Sequence, residues 1–432
     1  MGPIGKMLTE KSLSGLVVLV MLLAGTVLRG RFPRVPFWSV MMLCAAATLL
    51  LGLVGLDEAA SVIDLDVIML LIGMFALVGM AEHSGLLDFI ANYFLSRVSD
   101  TRKLLVGSSL LFGLMSAFFV NDTVALLGPP IAVTIGKALG GRYEPVFLLL
   151  CYSITVGSVM TPIGNPQNVL VALQSGMRSP FVEFITRLTV PTLVSLIVLA
   201  LVIERLYGLP RTKIAITVDP WESVRSRREF YIALVGIGVT VAALIANDVL
   251  AMLGQPHVNA KGLIPFVAAA ALWSFTDSPR EVLSRVDFGT VLFFMGMFIA
   301  VEGIWRSGLL QPLFGIMALD DPTGLTGLLT LSAVSLLISQ LISNVPYAKL
   351  AIQHLKELGV GAKDLNAWLT LATAATLAGN ITVFGAASNV IVLEVLESRY
   401  GVSIPYFRFT KVGLLVTAIV LPIYLPFLLL KF

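Results

Sequence analysis

Long apolar runs separated by short polar segments fill most of this chain of 432 residues. A membrane-spanning helix needs about 20 apolar residues, so the runs predict an all-α polytopic membrane protein. Between its two halves, residues 208–229 form the one clearly polar linker. The predicted spans cover residues 13–28, 36–55, 66–83, 145–173 and 185–207 in the first half, and residues 230–250, 258–276, 287–305, 366–398 and 409–430 in the second.

The same polar insertions recur in both halves at a nearly constant offset. Phe119-Val120-Asn121-Asp122-Thr123 aligns with Ile342-Ser343-Asn344-Val345-Pro346 at an offset of 223 residues. Thr161–Val169 aligns with Thr382–Val390 at an offset of 221 residues. Hydrocarbon cannot satisfy free backbone groups, so such interruptions must face protein or a water-filled cavity. A duplicated chain with helices broken at matching places is typical of a secondary transporter.

Residues 104–139 and 323–358 each place a polar tip between two apolar arms. Arms of about 16 residues are short for a full crossing, which favours a re-entrant hairpin over two spans. Each half then crosses five times, and an odd number of crossings makes the two repeats inverted. We therefore expect about ten transmembrane helices, two hairpins and two broken helices.

The predicted division of the chain follows from this count. The first repeat, residues 1–207, comprises scaffold spans 13–83, hairpin 104–139, broken helix 145–173 and last span 185–207. A cytoplasmic linker, 208–229, follows. The second, inverted repeat, residues 230–432, comprises scaffold spans 230–305, hairpin 323–358, broken helix 366–398 and last span 409–430.

Composition narrows the function class. The chain is 57% hydrophobic and 13% charged, whereas a soluble domain carries about 25% charged residues. It has no basic tract suited to nucleic acid and no nucleotide-binding loop, metal-ligand cluster or nucleophile–base arrangement, so we expect neither an enzyme nor a cofactor. With the N-terminus outside, 19 of the 29 Lys and Arg residues fall on the inner side. The positive-inside rule thus predicts a cytoplasmic-membrane protein with both termini external.

The interruptions bring half-helix ends, amides and hydroxyls to membrane depth, where they can bind a small solute. Gly164 and Gly385 permit the backbone turns, and Pro166 stops a helix from closing over the site. The alternative is that the polar side chains only cap half-helices. The candidate amides and hydroxyls are Asn121, Thr123, Asn165, Gln167, Asn168, Ser343, Asn344, Ser388 and Asn389.

Asp122 breaks the symmetry of the repeat, because its partner is Val345. An ionisable residue at membrane depth is a functional hypothesis by default. Asp122 could take up a proton or bind a cation and so couple transport to an ion gradient; the alternative is a cap of the second hairpin arm. For Lys349, which follows the second tip, we favour snorkelling to water over anion binding.

At these residues the chain resembles the ion transporter superfamily that holds arsenite permeases, NhaD-type sodium/proton antiporters, and citrate and dicarboxylate carriers. The resemblance spans nearly the whole chain. The Ser-Asn-Thr signature of sodium/dicarboxylate symporters is replaced by Asn-Asp-Thr and Ser-Asn-Val, and the Asn-Asp pair looks most like the arsenite permease branch. The segments that carry it are Phe119–Thr123, Pro129–Ile131, Gly157–Asn168, Ser343–Pro346 and Gly379–Val390.

The resemblance implies a transport part, made of the hairpins and broken helices, that moves as an elevator against a scaffold. It places Asp122 in the site. It implies substrate binding at Asn121, Thr123, Thr161, Gly164, Asn165, Asn168, Ser343, Asn344, Gly385, Ser388 and Asn389.

The motifs offer no fixed cation to a di- or tricarboxylate, and a carboxylate substrate beside Asp122 would be repelled. A neutral hydroxide such as arsenious acid avoids that repulsion. Our leading hypothesis is proton-coupled efflux of arsenite and antimonite, with Na⁺ as the alternative coupling ion. Sodium/proton antiport, a carboxylate or inorganic anion carrier and a channel stay open. So do a homodimer and a separate cytoplasmic ATPase subunit.

Overall fold

The computed structural model describes residues 10–31, 35–214, 216, 218–311, 322–401 and 403–429. In these ranges the chain is helical, without a β-strand; an isolated bridge pairs Asp100 with Lys213. The predicted external ends, residues 1–9 and 430–432, lie outside them. The helices are α1 (Glu10–Arg31), α2 (Phe37–Leu50), α3 (Ala59–Val62), α4 (Leu65–Ser84), α5 (Leu86–Leu95), α6 (Thr101–Phe119), α7 (Asn121–Ala138), α8 (Tyr143–Gly157), α9 (Pro166–Gln174), α10 (Pro180–Leu206), α11 (Arg227–Met252), α12 (Leu263–Phe275), α13 (Pro279–Ser284), α14 (Phe288–Arg306), α15 (Leu325–Ile342), α16 (Asn344–Glu357), α17 (Leu365–Leu377), α18 (Ala387–Tyr400) and α19 (Tyr406–Leu429).

Eight helices within the described residues are long and apolar enough to cross a membrane, which confirms the all-α polytopic class. They are α4, α6, α8 with its 3₁₀ extension, α10, α11, α14, α15 and α19. Two predicted spans, 36–55 and 258–276, instead form shorter apolar helices, α2 and α12, of 14 and 13 residues. At about 1.5 Å per residue each rises about 20 Å, less than the roughly 30 Å hydrocarbon core.

The repeat-equivalent helices α4 and α14 run antiparallel. Arg285, just before α14, forms an ion pair with Glu82 near the end of α4. Arg306, at the end of α14, contacts Glu58, which precedes α4, at 2.6 Å. The start of one helix therefore lies beside the end of its equivalent, as inverted repeats require.

The two halves interlock through glycines at equivalent positions. Gly73 of α4 lies so close to α12 that a Cβ there would be 2.4 Å from the carbonyl carbon of Pro265. Gly296 of α14 lies against α2, where a Cβ would be 3.0 Å from the Met41 oxygen. Only glycine permits such close backbone approach. Each half thus packs its third scaffold helix on the second scaffold helix of the other.

Two hairpins and two broken helices form the part of the fold that carries the polar insertions. The first hairpin is α6 and α7, joined by Val120; the second is α15 and α16, joined by Ser343. The first broken helix is α8 and α9, and the second is α17 and α18. Helix α18 packs against α7, and α16 packs against α9. Each hairpin therefore contacts the broken helix of the other half.

The linker between the halves pairs with the base of the first hairpin. The Thr101 amide donates to the Thr212 oxygen at 3.1 Å, and the Ile214 amide donates to the Ser99 oxygen at 3.1 Å. Arg211 contacts Glu204 at the end of α10 at 3.0 Å. The backbone of residues 212–214 is thereby attached to the start of α6.

Candidate functional site

Both hairpin tips turn through a backbone conformation that is rare for their residues. Val120 has φ 64° and Ser343 has φ 72°, and they are the non-glycine residues with positive φ in the described chain. Such residues cost about 1–3 kcal/mol each and cluster at functional sites. The Asn121 amide donates to the Gly164 oxygen at 3.0 Å, which joins the first tip to the first broken helix.

Side-chain amides hold the first break open. Asn165 caps α9, since its Oδ1 accepts from the Asn168 amide at 2.9 Å. Asn168 Nδ2 donates to the oxygens of Ser158 and Thr161, both at 3.0 Å. The hydroxyl of Thr161 donates to the Ala117 oxygen of the first hairpin. These bonds satisfy carbonyls that the interrupted helix leaves without intrahelical partners.

The second break repeats this arrangement 221 residues later. Asn389 Nδ2 donates to the Gly379 oxygen at 2.7 Å and to the Thr382 oxygen at 3.4 Å. The Thr382 hydroxyl donates to Oε1 of Gln340 on the second hairpin at 2.8 Å. Gln340 occupies the position equivalent to Ala117. The internal repeat of the sequence is therefore also a repeat of hydrogen bonds.

Thr376 joins the two broken helices. Its hydroxyl oxygen accepts from Asn165 Nδ2 at 3.2 Å and from Gln167 Nε2 at 3.3 Å. Its hydroxyl donates to Asn168 Oδ1 at 3.2 Å. Thr376 is not among the residues predicted from the sequence, although it matches Thr155 at the 221-residue offset.

A cavity of about 300 Å³ lies where the tips and breaks meet. It brings together predicted site residues from both halves: Asn121, Asp122, Thr123, Gln167, Ser343, Asn344 and Gly385. Other predicted residues are not in its wall: Thr161, Gly164, Asn165, Asn168, Ser388 and Asn389. In this conformation the bonds of Asn165 and Asn168 stabilise the break, as the capping alternative expects, and their role in binding stays a prediction.

Two residues of the wall, Asn121 and Asn344, each carry a buried amide oxygen that no described residue bonds. Asn121 Oδ1 and Asn344 Oδ1 are buried and have no hydrogen-bond partner among the described residues. Asn121 is 8% exposed and Asn344 is 4% exposed. A buried acceptor without a partner costs about 1–3 kcal/mol, so these oxygens favour a solute that donates hydrogen bonds.

The opposite wall is aromatic and comes from the scaffold. It includes Phe37, Trp38, Phe75, Phe293 and Phe294. Sequence reasoning missed these residues because apolar side chains in predicted spans carry no distinguishing pattern. The cavity therefore lies between a polar surface of the hairpins and broken helices and an apolar surface of the scaffold.

The cavity extends to the ends of scaffold helices at what we call the mouth, formed by Glu82, Arg285 and Asp287. Arg285 pairs with Glu82. Asp287 caps α14 by accepting from the Thr290 amide at 3.0 Å. With Asp122, the described lining carries three carboxylates and one guanidinium. The site is therefore acidic.

Fold and site together define a polytopic membrane transporter. The sequence model of the citrate transporter family, CitMHS, matches residues 16–374, so the chain belongs to that family. The chain is 30% identical over 373 residues to an uncharacterized transporter of Mycobacterium tuberculosis strain H37Rv, with 83% of this chain and 84% of the relative covered.

Two further proteins are similar over most of their length. The chain is 25% identical over 463 residues to the silicon efflux transporter LSI3 of Oryza sativa subsp. japonica, covering 91% of this chain and 94% of the relative. The crystal structure of the Alcanivorax borkumensis YdaH transporter, described as having an unusual topology, is 15% identical. It superposes with a TM-score of 0.58 over 87% of this chain and 89% of that one. The identity is low, so this likeness concerns the fold alone.

Proposed function

We propose that this transporter exports small neutral hydroxides, arsenious and antimonious acid, from the cytoplasm in exchange for protons. The observation that carries the proposal is the acidic cavity lined by Asn121 and Asn344, whose buried amide oxygens have no hydrogen-bond partner among the described residues. A neutral hydroxide donates hydrogen bonds to such oxygens and is not repelled by carboxylates.

The charges of the cavity disfavour an organic anion. Among the described lining residues Arg285 is the one cation, and it is paired with Glu82. A di- or tricarboxylate next to Asp122 would lose several kcal/mol to repulsion unless that carboxyl were protonated or sodium-bound.

The rice relative supports the same class of solute. That relative is named as a silicon efflux transporter, and silicon dissolves at neutral pH as silicic acid, another small uncharged hydroxide. We extend the proposal to silicic acid as a substrate by this chemical analogy.

Asp122 is the proposed proton carrier. It lies at the start of α7, beside the first tip and in the cavity wall. A carboxyl at membrane depth can move a proton when its site alternates between the two faces. The proposed movement is that of an elevator, in which the polar hairpins and broken helices slide along the aromatic scaffold wall.

Everted membrane vesicles test the proposal. We expect an imposed pH gradient to drive uptake of arsenite, antimonite and silicic acid, and vesicles without the protein serve as the control. Absence of gradient-driven arsenite uptake, in vesicles where the protein demonstrably moves protons, would contradict the substrate assignment.

The acidic lining also favours a second candidate, sodium/proton antiport with Asp122 binding the cation. Sodium-dependent dequenching of a pH-sensitive dye in the same vesicles, without arsenite uptake, would select it. Membership of the citrate transporter family motivates a third arm, in which citrate, succinate and sulfate are tested as competitors. The external termini, the coupling ion, a homodimer and an ATPase subunit remain predictions.

A further inference from the structure

A chain of three polar side chains lies on the side of the tips opposite the mouth. Lys349 Nζ donates to Gln174 Oε1 at 2.9 Å, and Gln174 Nε2 donates to Asp64 Oδ2 at 2.7 Å. Lys349 Nζ also lies 5.5 Å from the ring centre of Phe298. Lys349 therefore does not snorkel freely to water, contrary to our expectation, because Gln174 and Phe298 hold its ammonium group.

These contacts join parts that the sequence assigns to different bodies. Lys349 belongs to the second hairpin, and Gln174 ends α9 of the first broken helix. Asp64 is the N-cap of scaffold helix α4, and Phe298 lies in scaffold helix α14. A movement of hairpins and broken helices against the scaffold must break the two contacts that reach the scaffold, Gln174–Asp64 and Lys349–Phe298. The Lys349–Gln174 bond lies within the moving part.

The internal repeat relates this closed side to the mouth side. At the 223-residue offset Asp64 corresponds to Asp287 and Phe298 to Phe75. Likewise Lys349 corresponds to Leu126 and Glu302 to Gly79. All four partners, Asp287, Phe75, Leu126 and Gly79, line the cavity. Repeat-equivalent residues thus form two similar surfaces, one that lines the open mouth and one that is closed around Lys349.

Glu302 adds a second connection on the closed side. Its Oε2 accepts from Gln353 Nε2 of the second hairpin at 2.7 Å, and its Oε1 accepts from Arg306 at 2.8 Å. At the mouth the equivalent of Glu302 is Gly79, which has no side chain to make such a bond. At this position the closed side therefore has a bond between hairpin and scaffold that the mouth lacks.

We propose that Lys349, Gln174 and Asp64 form a latch that closes this face and stabilises the mouth-open state. When the latch opens, the closed side becomes the second entrance to the site, and Lys349, Phe298 and Glu302 line it. The latch rests on the proposed alternating movement and not on the identity of the substrate. Gln174 is its central positioning residue, since its amide bonds both ionic partners.

Cysteine accessibility in nanodiscs tests the latch. The two native cysteines, Cys44 and Cys151, are buried and are replaced by alanine. Leu126→Cys reports on the mouth, where Leu126 is 57% exposed. Val67→Cys reports on the closed side, because Val67 is 0% exposed and its equivalent at the mouth, Thr290, is partly exposed and lines the cavity. With the latch intact, a membrane-impermeant maleimide should label the first reporter and spare the second.

Gln174→Met removes both bonds at nearly constant volume. We expect labelling of Val67→Cys to rise about tenfold and that of Leu126→Cys to fall, as for the loss of one to two net hydrogen bonds. Lys356→Met changes an exposed lysine of α16, the helix that carries Lys349; it is the control and should change neither rate. Lys349→Met should give a smaller shift in the same direction, because it leaves the Gln174–Asp64 bond.

Unchanged rates at both reporters in folded Gln174→Met and Lys349→Met protein would overturn the latch. Equal gains at both reporters would also overturn it, because they indicate general loosening. No substrate is present in this experiment. A reporter shift without arsenite transport would therefore support the latch and reject the substrate. Arsenite transport without a reporter shift would support the substrate and reject the latch.

Discussion

The two halves of the molecule interrupt their helices in the same way, with the same backbone conformations and asparagine hydrogen bonds. Val120 and Ser343, one at each tip, both adopt positive φ. Asn168 and Asn389, one at each break, donate to carbonyl oxygens at equivalent positions. Both halves retain these interruptions, because both must present an interrupted helix at the same depth to build one cavity.

The side chains beside these tips and breaks differ between the halves. Asp122 of the first tip corresponds to Val345 of the second, and the capping residue Asn165 corresponds to Ala386. Helix α18 accordingly begins without a side-chain cap. Gln340 of the second hairpin instead bonds the other end of this break, where its Nε2 donates to the Ala378 oxygen at 2.8 Å. The first half therefore supplies the ionisable group and caps its own break, whereas the second break depends on its hairpin.

The largest effect should come from removing that asymmetry. We expect Asp122→Asn to reduce pH-gradient-driven transport to background while the protein still folds, because a neutral amide cannot carry a proton. The measurement is initial uptake into everted vesicles across a series of pH gradients. Val345→Thr, at the equivalent position of the other tip, should retain the pH dependence. An unchanged pH dependence in Asp122→Asn would remove Asp122 from the mechanism.

Much of the fold is predictable because each tip or break places polar residues inside an apolar run. The tips around Asn121 and Asn344 and the turns at Gly164 and Gly385 interrupt hydrophobic segments at repeated spacing. Inversion then follows from an odd number of crossings. The antiparallel arrangement of α4 and α14 agrees with that count.

The remaining parts of the site depend on contacts between the halves. Thr376 is one threonine in an apolar helix, and its bonds to Asn165, Gln167 and Asn168 exist only because the two breaks pack together. The aromatic wall has the same composition as a lipid-facing surface. A linear pattern records what interrupts a helix, but it does not record which helices meet.

A second prediction compares the asparagines of the two breaks. Asn168 makes bonds to two carbonyls at 3.0 Å and accepts from Thr376, whereas Asn389 makes one bond of 2.7 Å and a longer one of 3.4 Å. Buried carbonyls left without donors cost about 1–3 kcal/mol each. We expect Asn168→Ala to lower the free energy of unfolding by about 3 kcal/mol, and Asn389→Ala by about half as much.

Chemical denaturation in mixed micelles measures both losses. Thr376→Val is the matched control, since it removes the bridge and leaves the bonds of Asn168 to Ser158 and Thr161 in place. Its loss should be smaller than that of Asn168→Ala. Equal losses for Asn168→Ala and Asn389→Ala would mean that the first break is not the better-bonded one.

The smallest effect concerns the tips themselves. Ser343→Val transfers the residue of the first tip to the second and places a β-branched side chain at φ 72°. Positive φ is strained for such residues, so we expect the free energy of unfolding to fall by about 1 kcal/mol. Ser343→Gly should act in the opposite direction and raise it by about 0.5 kcal/mol, because relief of strain outweighs the entropy of glycine in the unfolded chain. If both variants shifted stability in the same direction, side-chain contacts rather than backbone strain would control the second tip, and its equivalence with Val120 would be limited to chain position.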